Sequence, residues 1–284
     1  KFSFRKKKTF YRYVLSYLFV FLLPFSVVSI IWYKTSTDSV NNQIDLSAKN
    51  QLLQVQAVIS RNMDQLSAIT KEISINPDLS EKRLMHPYYS LEARRELQKY
   101  KINSNIIEEM YLHFDDIPDS VYSSNGKLDL SAFIQQRYST INFNEDDLQQ
   151  TLKTTVPLIE SVPAKNDERY GLFTYIIPLT SEDNVSYGQI LYTMKMMDIR
   201  EILNKSIDKE SGNIYILDQE NHLLTGSHDD EIPIFVRDPK KMATLIKQDS
   251  FKTDEGTLRI STLDDPTLNL RYIALTNTSR ALSS

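Results

Sequence analysis

The chain has 284 residues, 41% of them hydrophobic, with 33 Lys or Arg against 37 Asp or Glu and a net charge of −4. It contains no cysteine, which excludes disulfides, thiolate metal sites and a cysteine nucleophile. Its six glycines are too scattered for a phosphate-cradling loop, and neither GxGxxG nor GxxxxGK[ST] occurs.

Residues 1–12, KFSFRKKKTFYR, hold six basic side chains and no acid. Residues 13–33 follow as a transmembrane helix. Val14 to Tyr33 carry no charge, and about twenty residues rising ~1.5 Å each cross the roughly 30 Å hydrocarbon core of a bilayer. The run is longer than the apolar part of a signal peptide. Ile30-Ile31-Trp32-Tyr33-Lys34 also lacks the small residues of a cleavage site. An uncleaved anchor is the expectation, kinked at Pro24, with Trp32 and Tyr33 at the outer interface. The basic cluster Arg5, Lys6, Lys7, Lys8 and Arg12 places residues 1–12 in the cytoplasm of a bacterial cell, and residues after 34 outside it. Without residues 1–12 the remainder carries −10. An acidic exported part is a poor nonspecific ligand for nucleic acid.

Residues 34–75 read as one long stalk helix. Val40, Ile44, Ala48, Leu52, Val55, Ile59, Met63, Leu66, Ile69 and Ile73 recur every three or four positions. That stripe is free to pack on its own domain or on a partner stalk in a homodimer. Asn76-Pro77-Asp78 ends it. A second helix covers 88–104. The period then falls to two over 107–115, where Glu109, Tyr111 and His113 alternate with Met110, Leu112 and Phe114. A strand at 120–123 runs into the turn Ser124-Asn125-Gly126-Lys127. Helices follow at 130–139 and 145–154, then strands at 170–179 and 186–197 and a helix from Asp198 to Ile207. The order repeats: strands at 212–218 and 222–227, a helix at 239–248, and strands at 257–263 and 268–276 joined by Asp264-Asp265-Pro266. Gly126 and Gly226 are expected in turns. The fold class is α+β, with mostly antiparallel sheets and helices on one side.

This order resembles the double Cache (dCache) sensor domain of bacterial receptors. The stretches that carry the likeness are Asn50 to Leu53 and Met63 to Leu66 on the stalk, Leu97-Gln98-Lys99-Tyr100-Lys101-Ile102-Asn103-Ser104-Asn105-Ile106-Ile107, Val121-Tyr122-Ser123-Ser124-Asn125-Gly126, and Gly212 to Asp218. The resemblance implies two PAS-like modules beside the stalk, one membrane-distal over 76–198 and one membrane-proximal over 199–279. Residues 280–284 then begin a link to a second transmembrane helix. The chain, which starts at Lys1 rather than Met, is read as a piece of a longer protein. The second and third stretches resemble membrane-anchored regulators with a cytoplasmic AraC-type helix-turn-helix output, which alone would contact DNA. Histidine kinases and chemoreceptors are the alternative.

The resemblance also implies a small-molecule ligand in the distal module, with Tyr111, His113, Tyr122, Arg137, Tyr138 and Tyr175 as candidate lining. A carbohydrate or a peptide is the expected class. The amino-acid-binding branch carries an Arg followed by Trp and Tyr, whereas here Arg137-Tyr138 stand alone and the single Trp is Trp32. That departure speaks against amino-acid recognition. No cofactor and no metal site is expected. His222 and His228 with Asp229 and Asp230 read as a solvated loop rather than a metal site, HExxH is absent, and Gly-x-Ser-x-Gly is not present around Ser227. An anchored extracellular enzyme or an adhesion scaffold are the competing classes, and the sequence offers neither nucleophile nor base for the former.

Overall fold

The computed structural model describes residues 3–277 apart from 103, 105, 139–150, 163–170, 182, 184, 208–211, 229–231 and 254–255. Side chains at 3–10, 12, 136–138 and 162 also lie outside the described residues. Helix α1 runs unbroken from Ser3 to Ile75. It is long and apolar enough to cross a membrane, and the apolar stretch is exposed throughout. The helix is continuous through Pro24, which supplies no N–H to the ladder. Two residues further on, the Ser26 hydroxyl donates to the Leu22 carbonyl at 2.7 Å. At the far end Asn76 Oδ1 accepts from the Asp78 N–H at 2.9 Å, and Pro77 begins a single 3-10 turn, Pro77–Leu79.

Two short helices follow, α2 (Glu81–Met85) and α3 (Ser90–Ile102). Five residues are too few to show a period, which is why α2 escaped the sequence reading. The first sheet is built from β1 (Glu109–Phe114), β2 (Ser120–Ser123), β3 (Gly126–Asp129), β4 (Leu158–Val162), β5 (Leu172–Thr180) and β6 (Ser186–Lys195), with helix α4 (Leu130–Tyr138) after β3. Its order is β3-β2-β1-β6-β5-β4, antiparallel throughout. Helix α5 (Met196–Ser206) leads to the second sheet: β7 (Asn213–Asp218), β8 (Leu223–Gly226), β9 (Ser250–Thr253), β10 (Gly256–Asp265) and β11 (Leu270–Asn277), with α6 (Pro239–Leu245) between β8 and β9. Its order is β8-β7-β11-β10-β9, also antiparallel. With β3 set aside as an extra edge strand, the two sheets share one connectivity. Strands β3, β4 and β9 were not foreseen. All three are short, and each is the edge strand of its sheet. The helix expected over 145–154 lies mostly outside the described residues.

The stalk expectation can now be refined. Ala48, Leu52, Val55, Ile59, Met63, Leu66, Ile69 and Ile73 are buried, packed with residues of both sheets in one continuous core. From Ala48 to Ile73 the stripe is therefore spent on the chain's own modules, while Val40 and Ile44 nearer the apolar segment are only partly buried. Polar ties accompany it. Thr70 gives its hydroxyl proton to the Leu66 carbonyl at 2.9 Å, so the Tyr192 hydroxyl, also 2.9 Å away, donates to Thr70 Oγ1. Tyr187 donates to the Ser74 carbonyl at 3.1 Å, and the Ser67 and Tyr175 hydroxyls lie 3.3 Å apart. On the proximal module Arg259 grips Asp45 through Nε at 2.7 Å and through Nη2, and Ser60 donates to Asp265 at 3.2 Å.

Strand β1 departs from simple alternation. All six of its residues are buried, because the stalk side covers one face and α4 the other. The charged Glu109 is consequently inside, and its carboxylate is fully engaged. Lys101 Nζ donates to it at 2.8 Å, Asn125 Nδ2 at 3.0 Å, Ser124 Oγ at 3.1 Å and the Met110 N–H at 3.2 Å. Lys101 comes from the Leu97–Ile107 stretch, and Ser124 and Asn125 from the Val121–Gly126 stretch. Two of the segments that carry the family resemblance are thus held together by one buried carboxylate. The glycine expectation holds in part. Gly126 opens β3 at φ 133°. Gly226 instead sits within β8, where a Cβ would stand 2.6 Å from the Tyr215 ring, so close packing rather than a turn requires it.

Two predictions follow from this packing. Glu109→Ala leaves Lys101 and three further donors without their acceptor, and is expected to cost about 3 kcal/mol in urea denaturation. Burial pushes the Tyr192 and Tyr272 hydroxyls well above the ordinary tyrosine range. An unfolded tyrosine ionises near pH ~10 while these stay neutral, so stability is whole below that pH. It falls above it by about 1.4 kcal/mol per pH unit for each group. Tyr192→Phe should remove one such contribution from the alkaline slope, about 1.4 kcal/mol per pH unit, while costing about 1 kcal/mol at neutral pH for the lost Thr70 bond, read from denaturation across a pH series.

Candidate functional site

Because strand side chains alternate, the distal sheet presents two different faces. Met110, Leu112, Phe114, Tyr122, Tyr175 and Tyr192 point to the stalk. Tyr111, Val121, Ile176 and Leu191 point the other way, toward α4. On this second face a cleft of about 430 Å³ opens beside the loop between β1 and β2, lined by His113, Asp115, Pro118, Asp119, Leu130, Leu152, Lys153, Thr155, Ser186 and Gln189. Its polar groups are of both signs, with Asp115, Asp119 and Lys153 all exposed at the rim. Leu130 and Leu152 give it an apolar wall.

His113 sits at the base, directly opposite Gln189 in the β1–β6 register. Its Nε2–H donates to the Pro118 carbonyl at 3.1 Å, and its Nδ1 lies 3.0 Å from Gln189 Oε1. The Gln189 amide nitrogen in turn donates to Asp115 at 3.4 Å. With Nε2 bonded to Pro118 and Nδ1 covered by the Gln189 side chain, His113 pins the 115–119 loop and offers a ligand its ring face. Gly188 makes this possible. A Cβ at that position would stand 2.2 Å from the His113 carbonyl oxygen.

The six residues singled out from the sequence are distributed as follows. His113 lines the cleft. Tyr111 shares its face but lies beneath α4, with its ring 4.7 Å from that of Phe133. Tyr122 and Tyr175 occupy the opposite, stalk-facing side. Arg137 and Tyr138 end α4, and their side chains fall outside the described residues. The sequence reading missed Asp115, Asp119, Lys153 and Gln189. Asp115 reads in the sequence as the end of the β1 pattern and Asp119 as part of the turn after it, and Gln189 is meaningful only once β1 and β6 are known to pair.

The proximal module has a smaller cavity of about 220 Å³, lined by Arg200, His222, Leu223, Leu224, Thr225, Ile232 and Arg237. Beside it Asp218, Glu220 and His222 gather on the exposed β7–β8 turn. His222 is held by Asp218, through its N–H at 2.7 Å and its ring at 2.9 Å. His228 is elsewhere, with its ring nitrogen donating to the Ile207 carbonyl at 2.7 Å. The two histidines therefore do not converge.

No family model and no curated protein matches this chain. Solved structures do match over nearly its whole length. The sensory domain of the Campylobacter jejuni chemoreceptor Tlp3 (CcmL) superposes with a TM-score of 0.58 at 15% identity, covering 88% of this chain and 98% of that one. The ligand-binding domain of the Pseudomonas fluorescens chemoreceptor CtaA, in complex with L-isoleucine, gives 0.57 at 11% identity, covering 88% and 97%. The ligand-binding domain of Mlp24 with asparagine gives 0.51 at 12% identity, covering 86% and 98%. The fold is that of chemoreceptor sensory domains. The α+β expectation of a long helix beside two antiparallel modules stands.

Gly188→Ala tests the base of the cleft. The added methyl must force β1 from β6 at His113, with an expected loss of about 1–3 kcal/mol in chemical denaturation and a displaced His113 ring signal in NMR.

Proposed function

We propose that this chain is the exported ligand-binding part of a membrane-anchored receptor, and that its ligand is a small zwitterion of the amino-acid class bound in the His113 cleft. The observation that carries this reading is the juxtaposition of acids and a base in one cleft. Asp115 and Asp119 suit an ammonium group, Lys153 suits a carboxylate, and Leu130 with Leu152 suits an aliphatic side chain. Ligand-binding domains of this fold have been solved with L-isoleucine and with asparagine, which supports the same class despite the missing Trp after Arg137. Carbohydrates and peptides lack this pairing of opposite charges at short range, which makes them the weaker alternatives. Anchoring rests on the exposed apolar helix and the basic residues before it. The six basic residues put the modules outside the cytoplasm. The reading is of a binder rather than an enzyme.

For the output, the solved neighbours favour a chemoreceptor-type arm. A second reading, an AraC-type helix-turn-helix, is carried by the Leu97–Ile107 and Val121–Gly126 stretches. The sequence encoded beyond residue 284 separates the two. A methyl-accepting coiled coil fits the first, and a helix-turn-helix pair the second.

Thermal shift and calorimetry on the full chain in nanodiscs, with the common L-amino acids, oligosaccharides and short peptides, test the ligand. An amino acid at about a hundred times its Kd should stabilise the protein by about 2.7 kcal/mol. Asp115→Asn and Lys153→Gln should each weaken binding about tenfold, a loss of about 1.4 kcal/mol. A flat amino-acid panel with a responding sugar or peptide would overturn the zwitterion reading.

A further inference from the structure

The displaced candidate, Tyr122, points to a second site. On the stalk-facing side of the distal sheet, between α2, α3 and the β2–β3 edge, lies a separate cleft of about 330 Å³. It is lined by Leu84, Met85, Ser90, Arg94, Tyr122, Ser123, Gly126 and Lys127. Tyr122 and Lys127 are direct cross-strand partners, so their side chains leave the sheet on the same face. Arg94 reaches in from α3. Gly126 holds a φ of 133° that L side chains rarely adopt, and the space a Cβ would take there lies 3.5 Å from Arg94 Nη1. The bare glycine keeps the approach to the guanidinium clear.

The charged groups that line this cleft, Arg94 and Lys127, are both cationic, and they are under-used. Arg94 gives only long bonds to two backbone carbonyls, Nε to Ser90 at 3.3 Å and Nη1 to Asn125 at 3.5 Å. Among the described residues neither Arg94 nor Lys127 meets a carboxylate. This contrasts with neighbouring Lys101, whose carboxylate is Glu109. The Tyr122 hydroxyl is buried with no hydrogen-bond partner. A buried hydroxyl left so costs stability, as do those of Tyr272 and several threonines here, and Tyr122 is the one that lines this cleft, beside two cations. Ser123 is already committed, accepting from the Asn125 N–H at 3.1 Å. Leu84 and Met85 supply an apolar side.

We propose that this cleft is an anion-binding site for a small organic carboxylate with a short aliphatic body. Arg94 presents a planar fork that matches a carboxylate, Lys127 adds charge, Tyr122 donates the third bond, and Leu84 with Met85 cover the aliphatic part. The site is distinct from the His113 cleft, which lies across the sheet and needs an ammonium group. It does not depend on the amino-acid reading.

The probe is isovalerate, which has the carboxylate and a branched tail but no ammonium group. It is titrated calorimetrically into the full chain in nanodiscs at low and high salt. Saturable binding that weakens with salt is expected, reduced at least about tenfold by Arg94→Gln. Tyr122→Phe separates a binding role from a packing role. Deleting an unpartnered hydroxyl should leave the unliganded protein as stable or more stable, while isovalerate binding falls. Asp115→Asn should leave isovalerate binding unchanged. Absence of binding at millimolar isovalerate, binding insensitive to Arg94→Gln, or loss of binding in Asp115→Asn with Arg94→Gln silent would overturn the proposal.

Discussion

Everything in this molecule leans on one stripe of side chains. Between Ala48 and Ile73 the long helix offers an apolar residue every three or four positions. Neither sheet can bury its stalk-facing side without it. Each module alone is a sheet with one uncovered face. The helix closes both in a single core, so the two modules are neighbours because they share a third element, more than because of contacts with each other. Such contacts exist, as where Ser161 of β4 donates to the Leu224 carbonyl of β8 at 2.6 Å, but they are few beside the stalk.

That arrangement fixes how a cleft and the stalk can communicate. In β6, Gln189 faces the His113 cleft, while Tyr192 and Tyr187 bond to the helix. Adjacent residues of a strand are only about 3.3 Å apart. Any shift of β6 relative to β1 therefore moves cleft residues and helix anchors together. The β1–β6 pairing is also where Gly188 permits unusually close approach. The part of the sheet with least room to adjust is the part that connects the two faces.

Much of this was legible in the sequence. The stalk period predicted the buried stripe from Ala48 to Ile73, with Val40 and Ile44 only partly buried, and the change to period two located β1. What was not legible depended on pairing. Alternation in Glu109-Met110-Tyr111-Leu112-His113 suggests one wet face, and only the layers on both sides explain why Glu109 and His113 are buried. Tyr122 and Tyr175 looked like pocket residues because tyrosine suits pockets. The register Leu112 with Tyr122, and Tyr175 with Tyr192, puts them on the stalk-facing side of the sheet, across from the His113 cleft. The motif stretches read as a family signature also turned out to have a mechanical meaning. Lys101, Ser124 and Asn125, which lie in those stretches, together satisfy one buried carboxylate.

The unbroken course of α1 has a mechanical consequence. From Lys34 to Ile75 there is no hinge, no glycine and no proline, and the same helix continues into the apolar segment. A rod of this kind has no joint at which motion could be absorbed. About 60 Å separates its far end from the bilayer surface at ~1.5 Å per residue, so a tilt of a single degree at the top displaces the foot by about 1 Å. The helix is a lever, and the smallest rearrangement of the distal sheet arrives at the membrane already as a displacement of atomic size.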